Sequence, residues 1–300
     1  MNAKIKKFLL SPFSLLYKLN PIAEQKLMFR LKCGYKLDLD HPKTYNEKVA
    51  WIKLYDRNPL IPKLADKFLV RQYIEELGYG DHLPKLYWNG FEADKIPFES
   101  FPDRFVVKVT SGSGRNILVK NKAELNREKT VSQLKKWLRE KYLPAYGEWH
   151  YGLERPRIIV EEFLDNGSDI VPPDYKMMYF NGWNGGDVAF TCLDTGRFGL
   201  HKKTLYDHDW HRMDDKCIDY ENDLSFYAEK PVCYKEMLCC ARELAKPFAH
   251  ARVDFYVIQD TFYIGEITFF NGAGFDIPSP PEFARQMGDW IILQKSGVNE

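Results

Sequence analysis

The sequence predicts an α+β protein with a mainly helical N-terminal region and a strand-rich body. Up to about residue 100 the apolar residues recur mostly at helical spacing. From Phe101 onward short β-rich runs separated by turn residues dominate. Only two further helical patterns follow, near residues 128–141 and 232–248. Long runs of strands with few helices favour an α+β body over an alternating parallel sheet.

Composition limits the possible classes of protein. The 300 residues are 45% hydrophobic and 15% aromatic, which is enough to bury a large core in one lobed domain or two domains. The net charge is only +1, so no overall field would recruit nucleic acid, and we expect no nucleic-acid partner. The six cysteines show no metal-binding spacing, which indicates a reducing, cytoplasmic location.

Residues 1–18 combine lysines with an apolar run. Pro12 interrupts the run and no small-residue cleavage site follows, so the segment is not typical of a signal peptide. A helical arm packed on the body is the favoured interpretation. The alternative is peripheral contact with the inner face of the membrane, with apolar side chains in the lipid and lysines beside them.

The helical region contains two clear patterns. One covers residues 43–55, with Thr44 as N-cap, and the other covers residues 64–77, ended by Gly78 and Gly80. The strand patterns that follow cover residues 104–109, 116–120, 157–163, 175–180, 187–193, 252–258 and 261–268.

Two lysines occupy unusual positions inside strands. Lys108 lies in the apolar run FVVKV, and Lys176 lies one alternate position after Asp174. Each lysine is either solvated or held toward an anion. The turn at residues 111–114 (SGSG) could bring backbone N–H groups close to that anion, although it has neither the Walker nor the dinucleotide-binding spacing.

The stretch RVDFYVIQDTFYIGEITFF, residues 252–270, predicts a β-hairpin with acidic residues on both strands. A three-residue loop would place Asp254 opposite Glu266 and Arg252 opposite Thr268, whereas a two-residue loop would put the acids on opposite faces. Paired carboxylates on a buried face need a cation, and Mg²⁺ with substrate phosphates would meet that need. The alternative is that both acids face solvent.

A second metal site is a weaker alternative. His201, His208 and His211 lie among aspartates, but their spacings match no recognised zinc motif, and a polar loop explains them equally well.

These motifs, taken together, resemble the ATP-grasp superfamily, and within it the group similar to the teichuronopeptide biosynthesis protein (TupA-like). The resemblance runs from about Tyr35 to Leu293, in the family's order. It rests on TYNEKVAWIKLYDRNPLIPKLADKFLVRQYI, FVVKVTSGSGRNILVK, RPRIIVEEFL, PDYKMMYFNG, HKKTLYDHDW, RVDFYVI and GEITFFNGAGF. It implies two α+β lobes that clasp ATP, in residues 101–164 and 165–300, preceded by the helical region 1–100.

The resemblance also implies roles for individual residues. Lys108 would bind the α- and β-phosphates, and Lys176 would point to the transferred phosphoryl group. Arg252 would stabilise that group, and Lys67 would lie at the edge of the nucleotide. The remaining implied sets are a mobile loop (Ser111, Gly112, Ser113, Gly114), an adenine-binding hinge (Glu161, Glu162, Phe163, Leu164) and Mg²⁺ ligands (Asp254, Glu266, Thr268). Thr268 stands where most ATP-grasp ligases have an asparagine, and its hydroxyl is a poorer ligand.

The implied function is an ATP- and Mg²⁺-dependent, ADP-forming carboxylate–amine ligase that works through an acyl phosphate. The resemblance suggests amide formation on a uronic-acid-containing cell-surface polysaccharide precursor, such as a capsule precursor. The carboxylate would belong to a small molecule or to a lipid-linked or nucleotide-linked saccharide. The alternatives are a sugar kinase, a nucleotide-sugar-dependent glycosyltransferase and a non-catalytic nucleotide-binding scaffold.

Overall fold

The computed structural model describes residues 3–165, 173–195 and 202–293. The helices in these ranges are α1 (Ala3–Leu19), α2 (Pro21–Cys33), α3 (Tyr45–Tyr55), α4 (Leu60–Ala65), α5 (Leu69–Glu76), α6 (Arg127–Arg139), α7 (Tyr234–Ala245) and α8 (Pro281–Trp290). The strands are β1 (Leu86–Gly90), β2 (Phe105–Val109), β3 (Asn116–Val119), β4 (Ile158–Glu162), β5 (Asp174–Trp183), β6 (Gly186–Thr195), β7 (Lys202–Asp207), β8 (Cys217–Ile218), β9 (His250–Ile258), β10 (Thr261–Thr268) and β11 (Pro278–Ser279).

The helical patterns are confirmed in part. Helix α3 begins after Thr44, whose side chain accepts a hydrogen bond from the backbone of Glu47 in a capping box. The helix predicted over residues 64–77 is confirmed only over α5, because a break at Asp66 separates α5 from α4. Asp66 Oδ1 accepts hydrogen bonds from Phe68 N and Leu69 N, so its side chain replaces the helical pattern locally.

A four-stranded antiparallel sheet in the order β1-β4-β2-β3 forms the smaller lobe. Strand β1 lies inside the region predicted to be mostly helical and was missed, since it has five residues and no clear alternation of burial. Phe105, Val107 and Leu134 are fully buried in one apolar cluster, which places α6 against this sheet.

A five-stranded antiparallel sheet in the order β10-β9-β5-β6-β7 forms the larger lobe. One face packs on α7. One end of the other face carries Phe180 and Phe190, which contact Trp290 of α8. The opposite end of that same face is charged, because Lys176 pairs directly with Asp254 and follows the same alternation as Phe180. Helices therefore cover only part of this face.

The hairpin of β9 and β10 reaches the predicted register by an unexpected route. The loop has two residues rather than three, since Ile258 pairs with Thr261. A β-bulge between Ile264 and Glu266 then shifts the register by one residue, so that Glu266 pairs with Asp254. The bulge lets Ile264 point into the core while Glu266 joins the charged face.

Helix α3 holds the loop between β10 and β11 through a buried ammonium group. Lys53 is 1% exposed, and its Nζ donates to Tyr146 O at 2.9 Å and to Ala273 O at 2.7 Å. It also lies over the Phe275 ring, 4.3 Å from the centroid. The loop at residues 271–274 is thereby fixed by a side chain from the N-terminal region.

The N-terminal arm, α1 and α2, packs on the body through one face only. Leu10 and Phe13 contact the cluster that contains Phe29 and Ala145. The outer side of the arm exposes apolar side chains, namely Phe8, Leu9, Leu15, Leu19, Leu27 and Leu31. None of the helices in the described part of the chain combines the length and the apolar character that a membrane crossing requires.

Candidate functional site

A cavity of about 600 Å³ lies between the two large sheets. Both lobes contribute to its lining, and a volume of this size is typical of a ligand site. Most of the predicted site residues line it: Lys67, Lys108, Ser113, Gly114, Glu162, Phe163, Leu164, Lys176, Arg252, Asp254 and Glu266.

Four predicted residues are not part of this lining. Ser111 and Gly112 lie in the glycine-rich turn just before the lining residues, where Gly112 O accepts a hydrogen bond from Lys67 Nζ at 3.0 Å. Glu161 lies behind Lys108. Thr268 pairs with Arg252 across the β9–β10 ladder, one step along the face from Glu266.

Lys108 is held in place by a buried carboxylate. Its Nζ lies 2.7 Å from Glu161 Oε2, and Arg71 Nη1 lies 2.8 Å from Glu161 Oε1. The Glu161 side chain is only 5% exposed, whereas that of Lys108 is 21% exposed at the wall of the cavity. One acid therefore orients two cations, and Lys108 keeps a surface that an incoming anion can contact.

The predicted hinge, residues 161–164, lies partly inside the sheet and partly beyond it. Glu161 lies opposite Leu86 on one side and Val106 on the other, so β4 is inside the sheet at this point. Glu162 N donates to Lys85 O at 2.9 Å. Phe163 and Leu164 follow the end of β4 and line the cavity.

Asp254 and Glu266 face each other with Arg252 between them. The guanidinium donates to both oxygens of Asp254, at 2.6 and 2.8 Å, and lies 3.4 Å from Glu266 Oε1. Burial raises the pKa of Asp254 to about 6, with Arg252 opposing the rise and Glu266 adding to it. Burial also opposes ionisation of Glu266, but Lys67 and Arg252 outweigh it and lower the pKa of Glu266.

These two acids could bind Mg²⁺ only together with ligands from a bound phosphate and water. In residues 3–165, 173–195 and 202–293, no group of three or more His, Cys, Asp or Glu side chains is arranged to hold a metal by itself. Mg²⁺ is commonly bound by one or two carboxylates with phosphate oxygens and water completing the shell. Asp254 and Glu266, which repel each other at the cavity wall, fit that shared mode of binding.

Lys176 lies in the middle of the charged face. Its Nζ contacts Asp194 and lies 3.5 Å from Asp174 Oδ2. Burial lowers the pKa of Lys176, and Asp254 and Asp174 oppose that decrease. The residue is therefore a buried, oriented cation at the boundary between the large cavity and a smaller one of about 150 Å³.

Several residues around the site escaped the sequence analysis. Arg71 lies on an ordinary amphipathic helix and gave no signal. Asp194, Lys203 and Asp276 line the smaller cavity. Lys203 did carry a signal, since it is a lysine beside Thr204 and Leu205 in a buried strand, the same pattern that drew attention to Lys108.

The histidine alternative finds no support in the part of the chain that the structure covers. His201 lies outside the described residues. His208 and His211 are exposed and contact Asp209 and Asp207 respectively, as expected for a polar loop.

A model of the TupA-like ATP-grasp family matches residues 47–292 of this chain. No curated protein matches it. Similar solved structures include D-alanine–D-alanine ligase from Helicobacter pylori, at 14% identity over 83% of this chain and 69% of that one, with a TM-score of 0.45. The ADP complex of purK, N5-carboxyaminoimidazole ribonucleotide synthetase, is 11% identical over 70% of this chain and 45% of that one, with a TM-score of 0.43.

An L-amino acid ligase from Bacillus licheniformis is 15% identical over 71% of this chain and 42% of that one, with a TM-score of 0.43. The chain thus spans less than half the length of two of these three proteins.

Proposed function

The chain belongs to the TupA-like ATP-grasp family, and we propose that it is an ATP- and Mg²⁺-dependent carboxylate–amine ligase that forms ADP. One observation supports this proposal above the others. Lys108, Lys176 and Arg252 converge with the opposed acids Asp254 and Glu266 on a single cavity between the lobes. Phosphoryl transfer depends mainly on positioning and charge neutralisation, and this set of groups supplies both.

The nucleotide would lie along the large cavity with its adenine at the end of β4. Phe163 and Leu164 have left the ladder there, so their backbone groups suit the adenine edge. Lys108, oriented by Glu161, would bind the α- and β-phosphates. Ser113 and Gly114 belong to the proposed mobile loop, which would exclude water from a hydrolysable acyl phosphate.

Asp254 and Glu266 would hold Mg²⁺, with Thr268 as a third candidate ligand one step along the strand. When bound, the ion would neutralise the charge that develops on the phosphates. The side-chain amide of Asn271 lies beside this group of residues, since its Oδ1 accepts a hydrogen bond from Arg252 Nη1. It therefore orients the arginine that faces both acids.

The proposed reaction has two steps. A carboxylate oxygen takes the γ-phosphoryl group, which gives ADP and an acyl phosphate. The amine nitrogen then attacks the acyl carbon, the C–N bond forms and the C–O bond to phosphate breaks. An ammonium loses two protons in total, of which one goes to the departing phosphate and one to solvent. Lys176 and Arg252 would stabilise the negative charge at this centre.

We further propose that the carboxylate substrate is a uronic acid in a cell-surface polysaccharide precursor. It would be small or carried on a lipid or a nucleotide, and the enzyme would work in the cytoplasm at the inner face of the membrane. Helices α3 and α8 cover only the apolar end of the sheet face that carries Lys176 and Asp254, so its charged end borders the cavity that such a substrate would have to enter.

The outer side of α1 would make the membrane contact. Phe8, Leu15 and Leu19 are 78%, 60% and 76% exposed and recur at helical spacing, with exposed Lys7 and Lys18 nearby. We expect co-sedimentation with vesicles rich in phosphatidylglycerol. Binding should fall in Leu15→Glu, and equal binding of that variant would contradict the contact.

Nucleotide protection tests the ligase proposal. We expect ATP with Mg²⁺ to raise the Tm, and Asp254→Asn to abolish the Mg²⁺-dependent part of the rise. ADP release should then require both a uronic acid and an amine. Release with a sugar alone would indicate a kinase, and protection by UDP-sugar without protection by ATP would indicate a glycosyltransferase. Either outcome would overturn the ligase.

A further inference from the structure

The smaller cavity adjoins the proposed nucleotide site on the far side of Arg252. It is about 150 Å³ in volume and lies over strands β5 to β7, beside the loop at residues 271–276. Lys176 and Arg252 line both cavities. A molecule bound in the smaller cavity would therefore meet a molecule in the larger one at these two side chains.

Lys203 is the least satisfied cation in this cavity. It is 8% exposed and lies opposite Asp194 in the β6–β7 ladder. Its Nζ lies 3.8 Å from Asp276 Oδ2 and 4.8 Å from the centroid of the Tyr220 ring. Among the described residues, no acceptor lies close enough for a hydrogen bond from this ammonium. An ammonium buried in this way favours a further anion, because ion pairing offsets the loss of hydration.

The other cations around the cavity already have close partners. Lys176 contacts Asp194, and the Arg252 guanidinium is engaged by Asp254 and Asn271. An anion that enters the cavity thus has one strongly favoured position, at Lys203.

Asp276 gives the same cavity a negative wall. Its Oδ2 accepts a hydrogen bond from Asn271 Nδ2 at 3.0 Å. Its Oδ1 packs so closely on Gly272 that a Cβ there would lie 1.8 Å away, and Gly272 also has a positive φ of 54°. The carboxylate is thereby fixed on the rim, and the cavity presents both signs of charge within a few ångströms.

We propose that this cavity binds a small α-amino acid as the amine substrate, with its carboxylate on Lys203 and its ammonium group on Asp276, next to the side of the cavity that Arg252 lines. The assignment rests on the proposed ligase function and adds the class of its amine. A cavity of about 150 Å³ holds a molecule of roughly six heavy atoms, such as benzene in an engineered protein. Glycine, alanine and serine are of this size, and the two signs of charge suit a zwitterion better than a simple amine.

The first test compares amino acids with their decarboxylated counterparts on the wild-type protein. The protein is saturated with Mg²⁺ and the non-hydrolysable analogue AMP-PNP, and thermal shift is measured with glycine, alanine or serine against methylamine, ethylamine or ethanolamine. We expect at least one amino acid to bind tenfold or more tightly than its amine. Equal shifts for both members of each pair, or no shift with any amino acid, would overturn the proposal.

The second test uses Lys203→Met with Lys202→Met as matched control. Lys202 precedes it on the same strand, points to the other face and pairs with Asp223 at 3.7 Å. We expect Lys203→Met to lose the amino-acid shift while its AMP-PNP shift is retained, and Lys202→Met to keep both. Lys203→Gln serves if the methionine variant does not fold.

The amino-acid site and the ligase proposal fail in different ways. If Lys203→Met keeps the amino-acid shift, or loses the AMP-PNP shift while folded, Lys203 does not bind the amino acid and the inference fails. Loss of the AMP-PNP shift in the folded variant would mean that Lys203 binds a phosphate of the nucleotide. If the wild-type protein shows no AMP-PNP shift at all, the proposed function itself fails.

Discussion

Replacing Glu161 with glutamine tests whether one buried acid organises the proposed phosphate-binding side of the cleft. The variant keeps the shape of the side chain and removes the charge that holds Lys108 at 2.7 Å and Arg71 at 2.8 Å. At an effective dielectric constant of about 20, each contact corresponds to roughly 6 kcal/mol of Coulomb attraction. Most of that attraction is offset by the desolvation of the carboxylate.

The net change in the free energy of unfolding is better estimated from other buried ion pairs in which one partner has been replaced. Such changes cost about 3–5 kcal/mol, because a charge is left buried without a partner. We expect a value near the lower end, about 3 kcal/mol, since the amide oxygen of the introduced glutamine can still accept one hydrogen bond. The Lys108 side chain can also move toward solvent, as it is 21% exposed.

Urea denaturation of Glu161→Gln and wild type measures this loss directly. Glu99→Gln is the matched control, because Glu99 pairs with Arg127 at the surface and its side chain is 77% exposed. We expect the control to match wild type within error. We also expect ATP with Mg²⁺ to stabilise Glu161→Gln more than wild type, since phosphate would replace the missing counter-charge. A loss as small as that of the control would refute the reasoning.

Single contacts elsewhere in the chain can be tested in the same way. Lys108→Met should weaken ATP binding tenfold or more, about 1.4 kcal/mol, in a titration calorimeter, and unchanged affinity would remove Lys108 from the phosphate site. Gly288→Ala should lower the free energy of unfolding in urea, because the new Cβ would lie 2.0 Å from Lys43 O. This clash should outweigh the gain of about 1 kcal/mol in helix propensity. A more stable variant would contradict this packing. Burial lowers the pKa of His250 to about 4, so between pH 6.5 and 4 the unfolded chain binds a proton that the folded chain does not. As the pH falls through this range, the free energy of unfolding of wild type should decrease by up to about 3 kcal/mol relative to that of His250→Gln. Parallel pH profiles of the two proteins would contradict the shift.

The sequence predicted seven of the nine strands in the two large sheets, missing β1 and β7, but few of the contacts that support them. Strand positions follow from local apolar runs, and the cap at Thr44 follows from a four-residue pattern. The pairing of Asp254 with Glu266 is confirmed, but the assumed loop was wrong. A bulge at Gly265 depends on how both strands pack, and a single glycine in a strand pattern does not distinguish a bulge from a turn.

Contacts between distant segments could not be predicted from the sequence. The break between α4 and α5 depends on which hydrogen bonds Asp66 makes, and a helix pattern does not specify them. The contact between Arg71 and Glu161, for example, joins residues that lie 90 positions apart in the sequence. The family resemblance supplied roles for the strand residues and included Lys203 in the stretch HKKTLYDHDW, whereas Asp276 became a candidate only when the small cavity was visible.

The ammonium of Lys53 has a consequence for where this protein can be cut. It joins α3 to Tyr146, in the segment between α6 and β4, and to Ala273, two residues from the asparagine that orients Arg252. A fragment that starts at residue 101 would keep the five-stranded sheet, but it would lose β1 from the four-stranded sheet as well as the tether on that loop. The first hundred residues therefore belong to the folded unit, and any expression boundary chosen at the start of the strand-rich body would separate Arg252 from this support.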